Sequence, residues 1–205
     1  MTLPTPGREL AAAFDAAAEH YDLLVALSPG YHAQLADSAR ALVRRLPDAG
    51  ALVLDLGCGT GASTAALLRA LNECGRSGVR IEGVDASAGM IARAHTKAWP
   101  ARVGFACADA VADLRARPDA SVAGILAAYL VRNVPDADEL LVEARRVLAP
   151  GGVLVIHDYS VAGNRWARTV WDGVCRVVII PAAYLADRDV SLYRYLRESV
   201  MAFDS

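Results

Sequence analysis

Glycine occupies every second position directly after an acidic residue in the stretch ALVLDLGCGTGASTAALL, residues 51–68. The apolar run up to Asp55 is typical of a buried strand, and the alanine-rich run after Gly61 is typical of a helix. Glycine lets the backbone take positive φ angles and approach a ligand closely, and the free N–H groups of a helix N-terminus attract anionic or polar groups. Three alternate glycines and an acid exceed what a tight turn requires, so the stretch predicts a ligand site.

Two kinds of ligand fit this loop. Gly57, Gly59 and Ala62 match the G-x-G-x-x-A fingerprint of dinucleotide-binding proteins. In that interpretation Asp85, at the end of the next predicted strand, is the acid that binds the ribose. The alternative includes Asp55 in the motif, D-x-G-x-G-x-G, and in this form the loop resembles the first motif of the class I S-adenosylmethionine (SAM) methyltransferases.

Further strings favour the methyltransferase. GVDASAGMI ends a predicted strand in Asp85, whose two oxygens can accept hydrogen bonds from both ribose hydroxyls, and its spacing places Met90 against an adenine face. CADA supplies Asp109 as an acceptor for the adenine amino group, with Ala110 beside it. ELLVEARRVLAPGGVLVIHDYS, residues 139–160, resembles the helix, P-G-G turn and strand around the fifth strand of this superfamily.

Motifs elsewhere in the chain narrow the resemblance to the quinone-biosynthesis C-methyltransferases, which act on demethylmenaquinone and its ubiquinone counterpart. The family usually has an Asn and a Trp where this chain has Val25 and Leu35, and these departures leave the identity of the acceptor open. The motifs that carry the resemblance are Tyr21-Asp22, Ser28-Pro29-Gly30-Tyr31-His32, Arg132-Asn133-Val134 and Tyr193-Arg194-Tyr195-Leu196.

The resemblance implies a role for each group of residues. Methylation of a quinol carbon requires loss of a phenolic proton, so a base belongs near the ring oxygen. Arg132 and Asn133 are expected to orient that oxygen or a water beside it, and His32 is the expected base. No metal site is expected. The implied cofactor-binding residues, for SAM and its product S-adenosylhomocysteine, are Tyr21, Asp55, Gly57, Cys58, Gly59, Gly61, Asp85, Ala86, Met90, Asp109, Ala110 and Tyr129.

Strand-like and helix-like runs alternate along the middle of the chain. This order predicts an α/β fold with a mainly parallel, Rossmann-like sheet of the class I methyltransferase kind and helices on both faces. The predicted strands are 51–56, 79–85, 102–109, 122–130 and 152–160. The predicted helices between them are 61–73, 87–97, 110–116 and 136–148.

A single domain is expected, with a helical lead-in or lid at 1–48, a SAM-binding core at 49–160 and a helical substrate-side segment at 161–205. The lead-in helices are predicted at 8–26 and 32–46, and the later ones at 162–178 and 189–200.

The residues after Ser160 read as helices, with an apolar run interrupted by Pro181, whereas class I methyltransferases add two further strands. We therefore expect that this chain does not cover the edge of its fifth strand. Either the chain is truncated, or another subunit covers that edge.

Composition excludes several classes of protein. The 205 residues carry a net charge of −2, which gives no electrostatic footprint for nucleic acid. No apolar run approaches the ~20 residues of a membrane span, and the N-terminal stretch lacks the apolar core of an export signal. Four scattered cysteines favour reduced thiols and a cytoplasmic location.

The expected partner is a small-molecule or prenylated aromatic acceptor, with a homodimer as a further expectation. The apolar run at 171–185 is interpreted as core, with an acceptor channel or peripheral membrane contact as the alternative. Three other functions stay open: methyl transfer to an oxygen or nitrogen of another small molecule, NAD-dependent oxidoreduction, and a catalytically inactive binding scaffold.

Overall fold

The computed structural model describes residues 5–26, 30–46, 52–187 and 190–203, with the side chains of 19–26 and 186–187 left aside. Five strands form its single sheet: β1 (Leu52–Leu56), β2 (Arg80–Asp85), β3 (Val103–Cys107), β4 (Val122–Ala128) and β5 (Leu148–His157). The helices are α1 (Arg8–Ala26), α2 (Tyr31–Val43), α3 (Ala62–Glu73), α4 (Ala88–His95), α5 (Ala110–Ala116), α6 (Ala137–Val147), α7 (Arg165–Val174), α8 (Ile180–Asp187) and α9 (Ser191–Ala202).

The sheet is parallel throughout, with the strand order β3-β2-β1-β4-β5. Asp55 of β1 lies level with Gly83 of β2 and with Leu126 of β4, so the carboxyl ends of these strands meet at one edge. Strand order reverses between β1 and β4, and the crevice at such a switch point is where open α/β sheets bind ligands. The predicted α/β fold is confirmed.

Alternate residues of each central strand supply two separate cores, as a two-residue period requires. Val53 and Leu126 pack with α2 and α3 on one face, whereas Leu54 and Ile125 pack with α5 and α6 on the other. A third buried cluster joins α1 to α8 and α9 through residues that include Leu10.

Strand β5 begins earlier than the sequence indicates. The A-P-G-G segment was expected to be a turn, but β5 already pairs with β4 at Leu148, opposite Val122. The register then shifts before Val153 pairs with Gly124, and Gly151 takes a φ of 78°. The segment is therefore an irregularity within the strand, which a glycine at positive φ permits.

Pro181 does not interrupt the helical segment after β5. A π-helical turn, Cys175–Ile179, joins α7 directly to α8, and the helix continues to Asp187. Proline removes one N–H and its ring clashes with the carbonyl four residues earlier, so a wider turn just before Pro181 accommodates it.

Within the described residues, no strand follows β5, and β5 forms one edge of the sheet. None of the helices described has the length and apolar character to cross a membrane.

The expectation that residues 171–185 belong to the core is wrong for one side of the helix. Ile179, Ile180 and Ala183 pack inward, but Val177 and Leu185 are among the most exposed apolar residues of the described chain.

Candidate functional site

The main cavity lies at the carboxyl edge of the sheet. It has about 970 Å³ of empty space, its open mouth included, which is ample for a nucleoside-sized ligand. One side, here named the loop wall, comprises Gly57–Gly59, Asp85, Met90 and Asp109. Another part of the lining, the aromatic wall, comprises Tyr31, Tyr129 and Asn133, and α1 contributes Leu10 and Phe14.

The glycine loop forms a cradle of main-chain atoms. The N–H groups of Gly57 and Cys58 both donate to the carbonyl of Val84, at 2.8 and 3.1 Å. Gly57, at φ 70°, lies close to Leu130, because a Cβ there would lie 3.0 Å from Leu130 Cδ1. Gly59, at φ 53°, faces open space. At Gly59 the loop thus leaves unfilled the volume that a ligand close to the backbone requires.

Asp85 is held by backbone donors at the end of β2. Its two oxygens accept hydrogen bonds from the N–H of Gly59, at 2.8 Å, and of Ser87, at 2.9 Å. Burial raises the pKa of this carboxyl group. Each carboxylate oxygen can accept a second hydrogen bond, so both are available to a pair of adjacent hydroxyls. Ala86 lines the cavity beside it.

Met90 and Asp109 border the other end of the loop wall. Met90 is buried with its surface in the cavity lining. Asp109 caps α5, because one of its oxygens accepts from the N–H groups of Val111 and Ala112, each at 3.0 Å. Asp109 and Ala110 line the cavity with Met90, so this part of the lining combines an apolar surface with a carboxylate acceptor, as adenine requires.

Two predicted cofactor residues do not line the main cavity. Asp55 lies buried beneath it, where one oxygen accepts from the hydroxyls of Ser63, at 2.8 Å, and Thr64, at 2.5 Å. Burial raises its pKa to about 7. Gly61 lies under Trp99, where a Cβ would approach the indole ring to 2.9 Å. Both residues fix how the loop enters α3.

Tyr129 takes a left-handed backbone conformation at the end of β4, with φ 59°. Such angles are uncommon for non-glycine residues and persist where the surroundings enforce them. Its N–H donates to the carbonyl of His157 at 2.6 Å, and its carbonyl accepts from Asn133 Nδ2 at 2.8 Å. The Tyr129 ring stacks between Tyr31, at 5.3 Å, and Tyr159, at 4.7 Å. This turn directs the ring into the cavity.

Of the three predicted catalytic residues, only Asn133 lines the main cavity. Its amide oxygen accepts from the hydroxyl of Tyr195 at 3.1 Å, and one amide hydrogen is used by Tyr129. The other amide hydrogen is left for a ligand.

Arg132 lies behind this wall. Its guanidinium forms a buried ion pair with Asp158, and lies 5.9 Å from the centre of the Tyr129 ring. Its Nε donates to the hydroxyl of Ser199 at 3.3 Å.

His32 lies in a second cavity between α2 and α3, together with Arg69 and Lys97. It contacts the ring of Tyr31, whose centre is 5.2 Å away, so it neighbours the aromatic wall without lining the main cavity. The side chain of Tyr21 lies outside the part of the chain that the structure describes.

Helix α1 contributes residues that sequence reasoning did not identify, although the segment was expected to form a lid and its Tyr21 to bind the cofactor. Gly7, Leu10 and Phe14 line the cavity. Asp15 fastens α1 to α4, since one of its oxygens accepts from Ser87 Oγ at 2.5 Å and from the N–H of Gly89 at 2.8 Å. Asp15 belongs to no local motif, so only the tertiary structure reveals this contact.

Ser38 and His157 adjoin the aromatic wall, and neither was predicted to be a site residue. Ser38 Oγ lies 2.6 Å from His157 Nδ1, and burial lowers the pKa of this histidine. The centre of the His157 ring lies 5.0 Å from that of Tyr129.

The parallel sheet, the glycine cradle and the acid at the end of β2 together define a class I SAM-dependent methyltransferase. The ubiE/COQ5 methyltransferase family model matches residues 6–205, and the chain belongs to this family. The membership decides between the two interpretations of the glycine loop in favour of SAM.

Similar proteins span most of the chain. A demethylmenaquinone methyltransferase of Clavibacter sepedonicus is 33% identical over 97% of this chain and 77% of its own length. One of Tropheryma whipplei is 34% identical over 74% of this chain and 59% of its own length. Among solved structures, a Haloferax volcanii putative methyltransferase in complex with the Trm112 activator is 28% identical, with a TM-score of 0.58 over 76% of this chain and 66% of that one.

Proposed function

We propose that this methyltransferase transfers a methyl group to a ring carbon of a prenylated quinol. The relatives support this acceptor, since several are named demethylmenaquinone methyltransferases and one from Drosophila melanogaster is named 2-methoxy-6-polyprenyl-1,4-benzoquinol methylase. The observation that carries the proposal is the aromatic wall, which lines the same cavity as the loop wall. The tyrosine rings in this lining offer aromatic surface against which an aromatic acceptor can pack beside the cofactor.

The loop wall supplies the binding groups for SAM. Asp85 would hold the ribose hydroxyls, Met90 and Asp109 the adenine, and the backbone of Gly57 and Gly59 the methionine end. The bound cofactor supplies an electrophilic methyl group on a sulfonium. The protein must therefore hold the acceptor carbon in line with the sulfur–methyl bond, and such positioning can contribute several kcal/mol to the lowering of the barrier.

The acceptor side requires a donor at the quinol oxygen. We assign this role to the remaining amide hydrogen of Asn133, which would stabilise charge on the oxygen as the phenolic proton leaves. The ortho carbon then forms the new carbon–carbon bond while the sulfur–methyl bond breaks, and loss of the ring proton restores the aromatic ring. We assign Arg132 to positioning, because its pairing with Asp158 holds it behind Tyr129. His32 as the base stays a prediction.

The test is methyl transfer from ¹³C-methyl-labelled SAM to short-chain prenylated naphthoquinones, supplied oxidised or chemically reduced. We expect turnover of the reduced form alone, with the label in a ring C–CH₃ group in the NMR spectrum. Asn133→Ala should lower kcat with little change in S-adenosylhomocysteine affinity. The matched control is Asn72→Ala. It removes an exposed asparagine of α3 that accepts a hydrogen bond from Arg102.

Other results of this assay identify the other functions. If the label appears in an O–CH₃ or N–CH₃ group, the enzyme methylates a heteroatom and the proposal of C-methylation is wrong. Cofactor binding without turnover of any acceptor would indicate a binding scaffold.

We also infer a cytoplasmic enzyme that meets its prenylated acceptor at a membrane surface and forms a homodimer. All four cysteines are free thiols, which agrees with a reducing compartment. Light scattering on the purified chain tests the dimer, and a monomer mass at all concentrations would remove that part of the proposal.

A further inference from the structure

The helix that runs from α7 through the π turn into α8 has its apolar side turned outward. Trp166, Val177 and Leu185 are 79%, 75% and 85% exposed. No residue of α7 is buried. A surface helix normally packs its apolar side on the core, so this orientation is the reverse of the usual one.

The inward side of the same helix is held by polar contacts. Asp172 is ion-paired with Arg197 of α9, and the indole N–H of Trp171 donates to the Arg197 carbonyl at 3.3 Å. The burial of Cys175 marks the same side. The outward orientation of the valines is therefore fixed by specific contacts on the opposite side.

The π turn keeps the apolar residues in one stripe. Every fourth residue of an α-helix moves about 40° around the axis, so a stripe at four-residue spacing drifts sideways. A π turn holds more residues than an α turn and reverses this drift between Val174 and Val178. The resulting surface, here named the apolar stripe, contains Trp166, Val170, Val174, Val177, Val178, Tyr184 and Leu185, all exposed.

Charge and residue type indicate what covers the stripe. The exposed charged groups that flank it on α7 include Arg165 and Arg168, and neither forms an ion pair within the described residues. Trp166 and Tyr184 lie near the two ends of the stripe, and tryptophan and tyrosine favour the boundary between lipid and water. Basic residues beside an apolar helix face with aromatic anchors are typical of helices that lie on anionic lipid.

We propose that the apolar stripe docks on the surface of an anionic phospholipid bilayer. The inward side of the same helix packs, through Ile179 and Ala183, in the cluster that includes Leu10 of α1. Leu10 lines the main cavity, so the helix that carries the apolar stripe packs directly beside the lining of the site. The inference that the apolar stripe binds lipid depends on its exposure and on the flanking charges. The inference that this binding helps to collect a prenylated acceptor depends on the proposed function.

The test is co-sedimentation of the full chain with vesicles of phosphatidylcholine alone or mixed equally with phosphatidylglycerol, without any acceptor. We expect binding to the mixed vesicles that weakens with salt. Val177→Glu should weaken it about tenfold or more, because it places a charge where an apolar side chain enters the lipid. The matched control is Val142→Glu, at a valine of α6 that is 65% exposed outside the stripe, and it should bind as the wild type does.

Three results would overturn the proposal: no binding of the wild type to mixed vesicles, equal losses in the two glutamate variants, or a wild-type dimer that Val177→Glu dissociates. The third result would mean that the apolar stripe is the interface between two copies of this chain. Turnover of a short-chain acceptor without vesicles tests the proposed function independently of docking. Val177→Glu should keep this activity, because it changes the apolar stripe and not the cavity.

Discussion

The loop wall of the cavity is held mainly by backbone donors close in sequence to their acceptors, whereas the aromatic wall is held by side chains from distant parts of the chain. Asp85 and Asp109 accept from backbone N–H groups, most of them two or three residues away. On the other wall, Arg132 pairs with Asp158, and Asn133 binds Tyr195, 62 residues further along. The two walls should therefore respond differently to mutation.

Local backbone contacts make the loop wall resistant to single side-chain changes, so a substitution there mainly affects the ligand. The aromatic wall depends on a buried ion pair and a strained turn, so a change there also affects folding. Mutations can therefore distinguish the residues that bind the cofactor from those that hold the acceptor side of the cavity in place.

The largest effect is expected from Arg132→Ala. It leaves the Asp158 carboxylate buried without its partner, and breaking a buried pair in this way costs about 3–5 kcal/mol of stability. Denaturant unfolding should show this loss, together with a large drop in kcat, while the folded fraction binds S-adenosylhomocysteine within about threefold of the wild type.

The double variant Arg132→Met/Asp158→Leu is the control for this prediction. Replacing both charges by apolar side chains should recover most of the stability without recovering turnover. Recovery of both would mean that Arg132 has no positioning role, and a collapse of cofactor affinity in the single variant would contradict the independence of the two walls.

The next effect is expected from Asp85→Ala in the loop wall. Each hydrogen bond to a charged group contributes about 1.5–3 kcal/mol, so loss of both ribose contacts should weaken S-adenosylhomocysteine about 100-fold or more in calorimetric titration. The exposed Asp37→Ala is the control and should bind normally. NADH should not bind to either variant. A loss below threefold for Asp85→Ala would exclude Asp85 as the ribose ligand.

The difference between the walls also explains what the sequence could predict. The strands, the parallel order and the loop-wall residues follow from local signals: the glycine spacing, the acid at a strand end and the two-residue apolar period. Gly57, Gly59 and Asp85 lie at the cavity because neighbouring residues in the chain place them there.

The aromatic wall could be predicted only in part. Tyr129 and Asn133 were identified through the family resemblance, but no local pattern shows that Arg132 turns toward Asp158 or that Tyr159 stacks on Tyr129. The outward apolar side of the helix at 171–185 was predicted only as the alternative to core packing for the same reason, since amphipathic spacing defines two faces of a helix without deciding which one meets the core.

Asp55, beneath the loop wall, gives a smaller effect that depends on pH. Its pKa is raised by burial from 3.8 to about 7 in the folded protein. Between these values the folded state holds a proton that the unfolded chain has released, so stability falls as the pH rises through this window and levels off above it. Between pH 5 and 8 the wild type should lose roughly 2.5 kcal/mol more than Asp55→Asn in urea unfolding.

The exposed Asp37→Asn variant serves as the control and should lose as much stability as the wild type. An identical pH dependence in the wild type and in Asp55→Asn would mean that Asp55 stays ionised in the folded protein.

The smallest effect on ligand binding is expected at the contact between α1 and α4, beside the cavity. Asp15→Ala removes the two hydrogen bonds to Ser87 and Gly89 that fasten α1 to α4, worth roughly 1 kcal/mol together at an exposed position. S-adenosylhomocysteine should then dissociate about fivefold faster in stopped-flow measurements. The pKa of Asp85, raised by burial and further by the charge of Asp15, falls in this variant, so the equilibrium affinity changes less than the dissociation rate does.

Glu9→Ala removes another acid of α1, whose hydrogen bonds within the described residues go to Thr5. S-adenosylhomocysteine should dissociate from this variant as fast as from the wild type. Asp15→Asn keeps one acceptor oxygen for the same donors and should fall between the wild type and the alanine variant. If all three variants release the product equally fast, α1 does not control exit from the cavity, and the two walls alone set the residence time of the cofactor.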